Sequence, residues 1–148
     1  MFNEELDKAC TLAVNYLSRY YKTKSELGAY LTKKKVSKDI IDKVATKCEE
    51  YGYLNDNSYA QNFADFKKNS HSARQIRFEL LRKGVDEKIV DTLEFDDKTA
   101  IKNLANKYMA KKEKTKENEL KLKNFLARKG FKYDDIKSVT GETDENWD

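Results

Sequence analysis

"LLRKGV" stands at residues 80–85, "LARKGF" at 126–131 and "LTKKKV" at 31–36. Each writes leucine, a variable residue, two basic residues, one further residue and an apolar one. The agreement extends outward. Setting Val36, Val85 and Phe131 in one column puts Leu31, Leu80 and Leu126 five residues upstream, and Leu27, Ile76 and Leu122 nine upstream. That spacing keeps one face of a helix apolar. Thirteen upstream stand Thr23, Ser72 and Asn118, residue types that cap helix N-termini. Glu26 and Gln75 follow the first two at the capping-box position. Gly84 and Gly130 fill the place where a helix exits through the left-handed conformation, and Lys35 takes that place in the first copy, where a differently built turn is expected.

A further helix follows each copy. Ser37 and Asp86 suit its N-cap, and Ile40, Ile41 and Val44 match Ile89, Val90 and Leu93. The third copy keeps Ile136 and Val139 behind the poor cap Lys132, so its last helix should be the short or frayed one. A first helix precedes each copy, with apolar stripes at Leu6, Ala9, Ala13, Leu17 and Tyr20, at Tyr59, Ala60, Phe63 and Phe66, and at Ile101, Leu104, Ala105 and Tyr108. The third copy adds the charged stretch "KYMAKKEKTKENELK" between its first and second helices, read as extended helix with an exposed turn. The chain has no proline, which favours helices joined by short links. Charged residues are 38% of it against 39% hydrophobic, which suits a thin core. The expected architecture is all-α: three tandem three-helix repeats over residues 1–54, 55–95 and 96–140, stacked into an elongated, curved molecule, with an acidic tail at 141–148.

These residues resemble the RecX family, bacterial regulators of the RecA recombinase. The resemblance rests on "NYLSRYYKTKSELGAYLTKKKVSKDIIDKV" (15–44), "YGYLNDNSYA" (51–60), "SARQIRFELLRKGV" (72–85) and "FLARKGF" with Tyr133 (125–133). Lys35 departs from the glycine usual at its position. The resemblance implies a curved helical monomer that binds the RecA filament on single-stranded DNA, within its helical groove. It implies lowered ATP hydrolysis, strand exchange and repressor cleavage.

Charge is distributed by repeat position. The second-helix regions 19–35, 67–83 and 107–132 carry net +5, +5 and +7, while the third-helix regions 37–57, 86–97 and 134–148 carry −2, −5 and −5. Basic residues near helix C-termini favour the macrodipole, which accounts for part of this. Stacked repeats would align the rest into a basic stripe suited to a polyanion or to acidic patches on a protein filament. Arg19, Lys22, Lys24, Lys33, Arg74, Arg77, Arg82, Lys83, Arg128 and Lys129 are the candidate partner-binding residues, some of them expected to fold back onto the acidic third helices. The same stripe leaves open a weak direct contact with DNA, and a stand-alone nucleic-acid-binding protein of helix-turn-helix-like modules is the alternative reading.

Single residues read more quietly. Tyr16, Tyr20, Tyr30, Tyr51, Tyr53 and Tyr59 suit a core more than a base-stacking platform, and Gly28 inside a helix suggests close helix packing. Cys10 and Cys48 lie on apolar stripes as buried thiols of a reducing, cytoplasmic setting, and no apolar run is long enough to span a membrane. One histidine and two cysteines supply no metal spacing, and no phosphate loop, zinc-protease or nucleophile-elbow motif is written, so neither cofactor nor catalysis is expected. Carboxylate pairs such as Asp96–Asp97 and Asp134–Asp135 sit where helix capping explains them. Trp147 lies in the acidic tail, where contact with nucleic acid is disfavoured.

Overall fold

The computed structural model describes residues 4–140, and the acidic tail with Trp147 lies outside the described residues. Among these residues there are nine helices and no strand: α1 Glu4–Arg19, α2 Lys24–Lys33, α3 Lys38–Glu50, α4 Asp56–Lys67, α5 Ala73–Arg82, α6 Glu87–Val90, α7 Lys98–Met109, α8 Lys116–Arg128 and α9 Tyr133–Thr140. The fold is all-α, built of three-helix repeats. The chain divides into two compact units, Met1–Asn62 with Leu80–Thr92, and Phe63–Glu79 with Leu93–Asp148.

In the first unit, Ala9 and Ala13 of α1 meet Leu27 and Leu31 of α2 and Ile40, Val44, Ala45 and Cys48 of α3. In the second, Ala100, Ile101 and Ala105 of α7 meet Leu122 and Leu126 of α8 and Ile136 of α9. Small residues on the first helix of each group let the leucines of the second approach closely. Each fully buried leucine contributes about 1.5–3 kcal/mol. Tyr16 and Tyr30 stack at 4.0 Å between ring centres on the edge of the first core.

The quoted motif builds the same helix exit three times. The amides of Val36, Val85 and Phe131 donate to the carbonyls of Leu31, Leu80 and Leu126. The amides of Lys35, Gly84 and Gly130 donate to Thr32, Leu81 and Ala127. The residue between has φ of +65° at Lys35, +87° at Gly84 and +93° at Gly130. The first turn is therefore not built differently: Lys35 accepts the left-handed conformation that glycine takes in the other copies.

What distinguishes the glycines is contact with the preceding repeat. A Cβ on Gly84 would collide with the Ser25 side chain, and one on Gly130 would lie 2.8 Å from Ser72 Oγ. Beside each glycine runs a buried hydroxyl. Thr23 Oγ1 accepts from Glu26 N at 3.1 Å and donates to Lys83 O at 2.7 Å. Ser72 Oγ accepts from Gln75 N at 3.1 Å and donates to Lys129 O at 2.7 Å. One hydroxyl thus caps its own helix and holds the end of the second helix in the next repeat. Both residues are fully buried. Thr23 also completes the capping box, its amide donating to Glu26 Oε1 at 3.0 Å.

Several expectations are corrected. The cap of α8 is Thr115, not Asn118: Thr115 Oγ1 accepts from Asn118 N at 3.0 Å, one turn earlier, so α8 runs 13 residues where α2 has 10. The charged stretch before it carries the exposed turn expected there, between the end of α7 at Met109 and the start of α8 at Lys116. The shortest third helix is α6, of four residues, and Thr92 Oγ1 bonds back to Ile89 O at 2.6 Å just beyond its end. Tyr20, Tyr51, Tyr53 and Phe66 are exposed rather than core, and Ala64 takes the buried place on α4. Gly28 is not required by packing, since a methyl group there would only touch Ile41 at 3.9 Å.

Gly84→Ala should therefore destabilise the protein by about 2–4 kcal/mol, the left-handed backbone and the collision adding together. Gly52 has φ of +80° with nothing within 4 Å of an added Cβ, so Gly52→Ala should cost only about 1–2 kcal/mol. Urea unfolding of the two variants checks this, and equal losses would deny the contact its role.

Candidate partner interface at the repeat joints

The hydroxyl, the glycine and a carboxylate make each joint. Lys24 N donates to Asp56 Oδ1 at 2.9 Å, and Ala73 N donates to Asp97 Oδ1 at 2.7 Å. Lys24 and Ala73 are the first helical residues of α2 and α5, whose amides have no partner within their own helix. Asp56 and Asp97 open the first helix of the next repeat. Burial pushes both carboxyls up from the ordinary aspartate range, and the hydrogen bond from the Lys24 or Ala73 backbone pulls each the other way. Asp96, next to Asp97, accepts from Lys98 N and so caps α7, as the sequence suggests. Asp97 does not, its carboxylate being given to α5.

The joints gather part of the predicted basic set. In the first unit, Lys22 and Lys83 lie 4.0 and 3.8 Å from the same Glu26 carboxylate oxygen. They come from successive repeats. In the second unit, Arg74 packs beside the Gly130 turn, with its Cβ 3.4 Å and Cδ 3.6 Å from where a Gly130 side chain would start. Arg74 therefore sits against the segment carrying Arg128 and Lys129. The same positions of the two joints, occupied by Ser25 and Arg74, touch the same turn of the following repeat.

Other members of the set are placed differently. Lys24 reaches Glu49 of α3 at 3.4 Å, the folding back onto an acidic third helix that the charge pattern suggests. Lys33, Arg82 and Arg128 are exposed at the last positions of α2, α5 and α8, and Arg19 ends α1, where a cation favours the helix macrodipole. Arg77 is half-buried on α5. Lys129 lies 5.5 Å from the Phe125 ring centre.

Sequence reasoning missed Asp56 and Asp97 as joint acceptors. The signal was present in "YLND" and "EFDD", an aspartate at the start of a first helix in both places. It also missed the exposed aromatics of "RYYK" at 19–22. Tyr20 and Tyr21 are 54% and 55% exposed, with Lys22 Nζ 5.9 Å from the Tyr20 ring centre. Asn62 donates to Tyr21 OH at 3.2 Å, which fixes that ring's place. The thiols Cys10 and Cys48 are free, Cys48 buried and Cys10 partly so, both in the first core. No group of metal-ligating side chains and no helix long and apolar enough to cross a membrane occurs among the described residues.

Three family models match in order: "RecX, first three-helix domain" over residues 9–48, "RecX, second three-helix domain" over 55–93 and "RecX, third three-helix domain" over 96–140. The regulatory protein RecX of Finegoldia magna is 36% identical over 147 residues, covering 90% of this chain and 71% of that protein. The chain belongs to the RecX family. A regulatory protein RecX of Clostridium perfringens is 33% identical over 97% of this chain and 72% of its own length. That of Bacillus cytotoxicus is 35% identical over the whole chain, which spans 58% of that longer RecX. The crystal structure of RecX from Lactobacillus salivarius superposes with a TM-score of 0.83 at 26% identity, over 96% of this chain and 98% of the other. The RecX family is one of regulatory proteins, and both joints lie within its three-helix domains.

Glu26 screens the first basic pair, so Glu26→Gln should expose it. The amide keeps the acceptor oxygen for the cap, so stability should change by no more than about 1 kcal/mol. Retention on a heparin column should increase, and unchanged retention would show that Lys22 and Lys83 do not face a polyanion.

Proposed function

We propose that this chain regulates a RecA recombinase by binding the filament that RecA forms on single-stranded DNA, and that binding inhibits the filament's ATPase, recombinase and coprotease activities. The observation that carries this reading is the meeting of Lys22 and Lys83, from successive repeats, around Glu26, with Arg74 packed beside the Gly130 turn at the second joint. Cations brought together from successive repeats suit contact with a polyanionic assembly. Membership of a regulatory family supports the role. On this reading the chain acts as a monomer in the cytoplasm, without a cofactor and without turning over a substrate. The whole set from Arg19 to Lys129 contributes to partner binding.

The exposed Tyr20 and Tyr21 between Arg19 and Lys22 favour a second reading, a protein that binds single-stranded nucleic acid directly by stacking and charge. The two readings separate in one experiment. The first expects RecA's DNA-dependent ATPase to fall at protein concentrations too low to coat the DNA. The second expects inhibition only when the DNA is saturated.

Reversal of Arg77, Arg82 and Lys83 to Glu tests the basic surface itself. Binding to the RecA–DNA filament should weaken at least about tenfold, equivalent to about 1.4 kcal/mol. Its dependence on salt should become shallower, because fewer counterions are released. A folded triple variant that binds as tightly as the parent across a salt series would reduce the basic set to a solvated face.

A further inference from the structure

The same positions of the second helix are exposed in every copy: six and two residues before the motif leucine, and one and two residues after it. In α2 they hold Ser25, Ala29, Thr32 and Lys33, and in α8 Leu120, Asn124, Ala127 and Arg128. In α5 they hold Arg74, Phe78, Leu81 and Arg82. Phe78 is 62% exposed and Leu81 41%. Residues three and four apart are neighbours on a helix surface, so Phe78 and Leu81 lie side by side. Arg74 stands one turn before Phe78 and Arg82 one turn after it. No other residue of α5 is exposed, and its one carboxylate, Glu79, is half-buried. The repeat itself does not need this face. Ile76 and Leu80 are the fully buried residues of α5, and the other copies build the same helix with alanine, threonine or asparagine in place of Phe78 and Leu81. Single apolar residues scattered over a surface are ordinary, but an adjacent phenylalanine and leucine between two arginines form a contact surface.

We propose that the Arg74–Phe78–Leu81–Arg82 face of α5 docks on a protein surface that is apolar at its centre and rimmed by carboxylates. The charges and the side-chain types both favour that occupant. A nucleic acid gives the apolar pair little, since leucine has no ring on which a base can stack and phosphates contact neither side chain favourably. A second copy of the chain would present the same face, and pairing the two would set arginine against arginine. Phenylalanine and arginine are both enriched at protein interfaces, and the planar arginine fork suits a carboxylate better than lysine does. The middle copy alone places arginine at both ends of this face. The inference rests on the function proposed above and deepens it: α5 holds the recombinase subunits of the filament rather than their DNA.

The test is Phe78→Ala combined with Leu81→Thr, which gives α5 the residues that the first repeat carries at these positions. Helix content by circular dichroism and the melting midpoint should be retained. Affinity for the RecA–DNA filament should fall about tenfold or more. The slope of that affinity against salt should stay as in the parent, because no charge is removed. Retention on immobilised single-stranded DNA should not change. If that variant loses helix content, Phe78→Asn with Leu81→Ala, the residues of the third repeat, decides instead. A folded variant that binds the filament as tightly as the parent would overturn the proposal and leave the function above standing. A parallel loss of filament and DNA binding would overturn it by assigning the face to nucleic acid. Self-association of the parent that the variant abolishes would overturn it by assigning the face to a second copy. A parent that does not bind the filament at all would remove the function above and this contact with it.

Discussion

A single buried hydroxyl, used in both directions, is the interaction on which the repeats depend. Thr23 and Ser72 each accept from the first turn of their own helix and donate to the end of the corresponding helix in the next repeat. A net hydrogen bond in a protein contributes only about 0.5–1.5 kcal/mol. Its removal costs more at these positions, because the hydroxyls are buried and both partners would be left without them. The adjoining glycine follows from the same constraint. The carbonyl can reach the hydroxyl only if the turn beside it carries no side chain, which is why glycine stands at 84 and 130. Lys35 has the same conformation but is exposed, and a lysine is accommodated.

The joint links sequence to function through spacing. Lys83 and Lys129, the basic residues that follow the second helices of the second and third repeats, supply the carbonyls that the preceding caps grip. Fixing those carbonyls fixes the cations beside them. Lys83 is brought to the Glu26 carboxylate that Lys22 already holds, and Arg74 to the turn after Lys129. Exposed pairs of this kind add little stability. Their placement is a by-product of the clasp, and it costs the protein little to keep cations there for a partner. The acidic third helices limit the effect, since Lys24 is drawn onto Glu49.

Much of this was legible in the sequence because it is local. The helix exits, the caps at Thr23 and Ser72 and the left-handed glycines are written within a dozen or so residues of one another. Where the reading failed, the missing information was distant or concerned exposure. Asp56 and Asp97 serve amides 32 and 24 residues upstream, and an aspartate at a helix start does not say which amide it serves. Thr115 outcompeted Asn118 because both types cap and the helix could gain a turn. Tyr20 and Phe66 fell on apolar stripes by spacing, yet periodicity says which residues share a face and not where the face ends. Of the candidate site, the residue types and their repeat positions were legible, but which cations converge was not, because convergence is set by the joint.

The joint can be tested directly by hydrogen exchange on Thr23→Val, which removes the hydroxyl and keeps the shape. If Thr23 clasps the next repeat, protection should fall both in the first turn of α2, at Glu26 and Leu27, and far along the chain at the Gly84 and Val85 amides. Loss of protection confined to α2, with Gly84 and Val85 exchanging as in the parent, would reduce Thr23 to an ordinary helix cap and contradict the account.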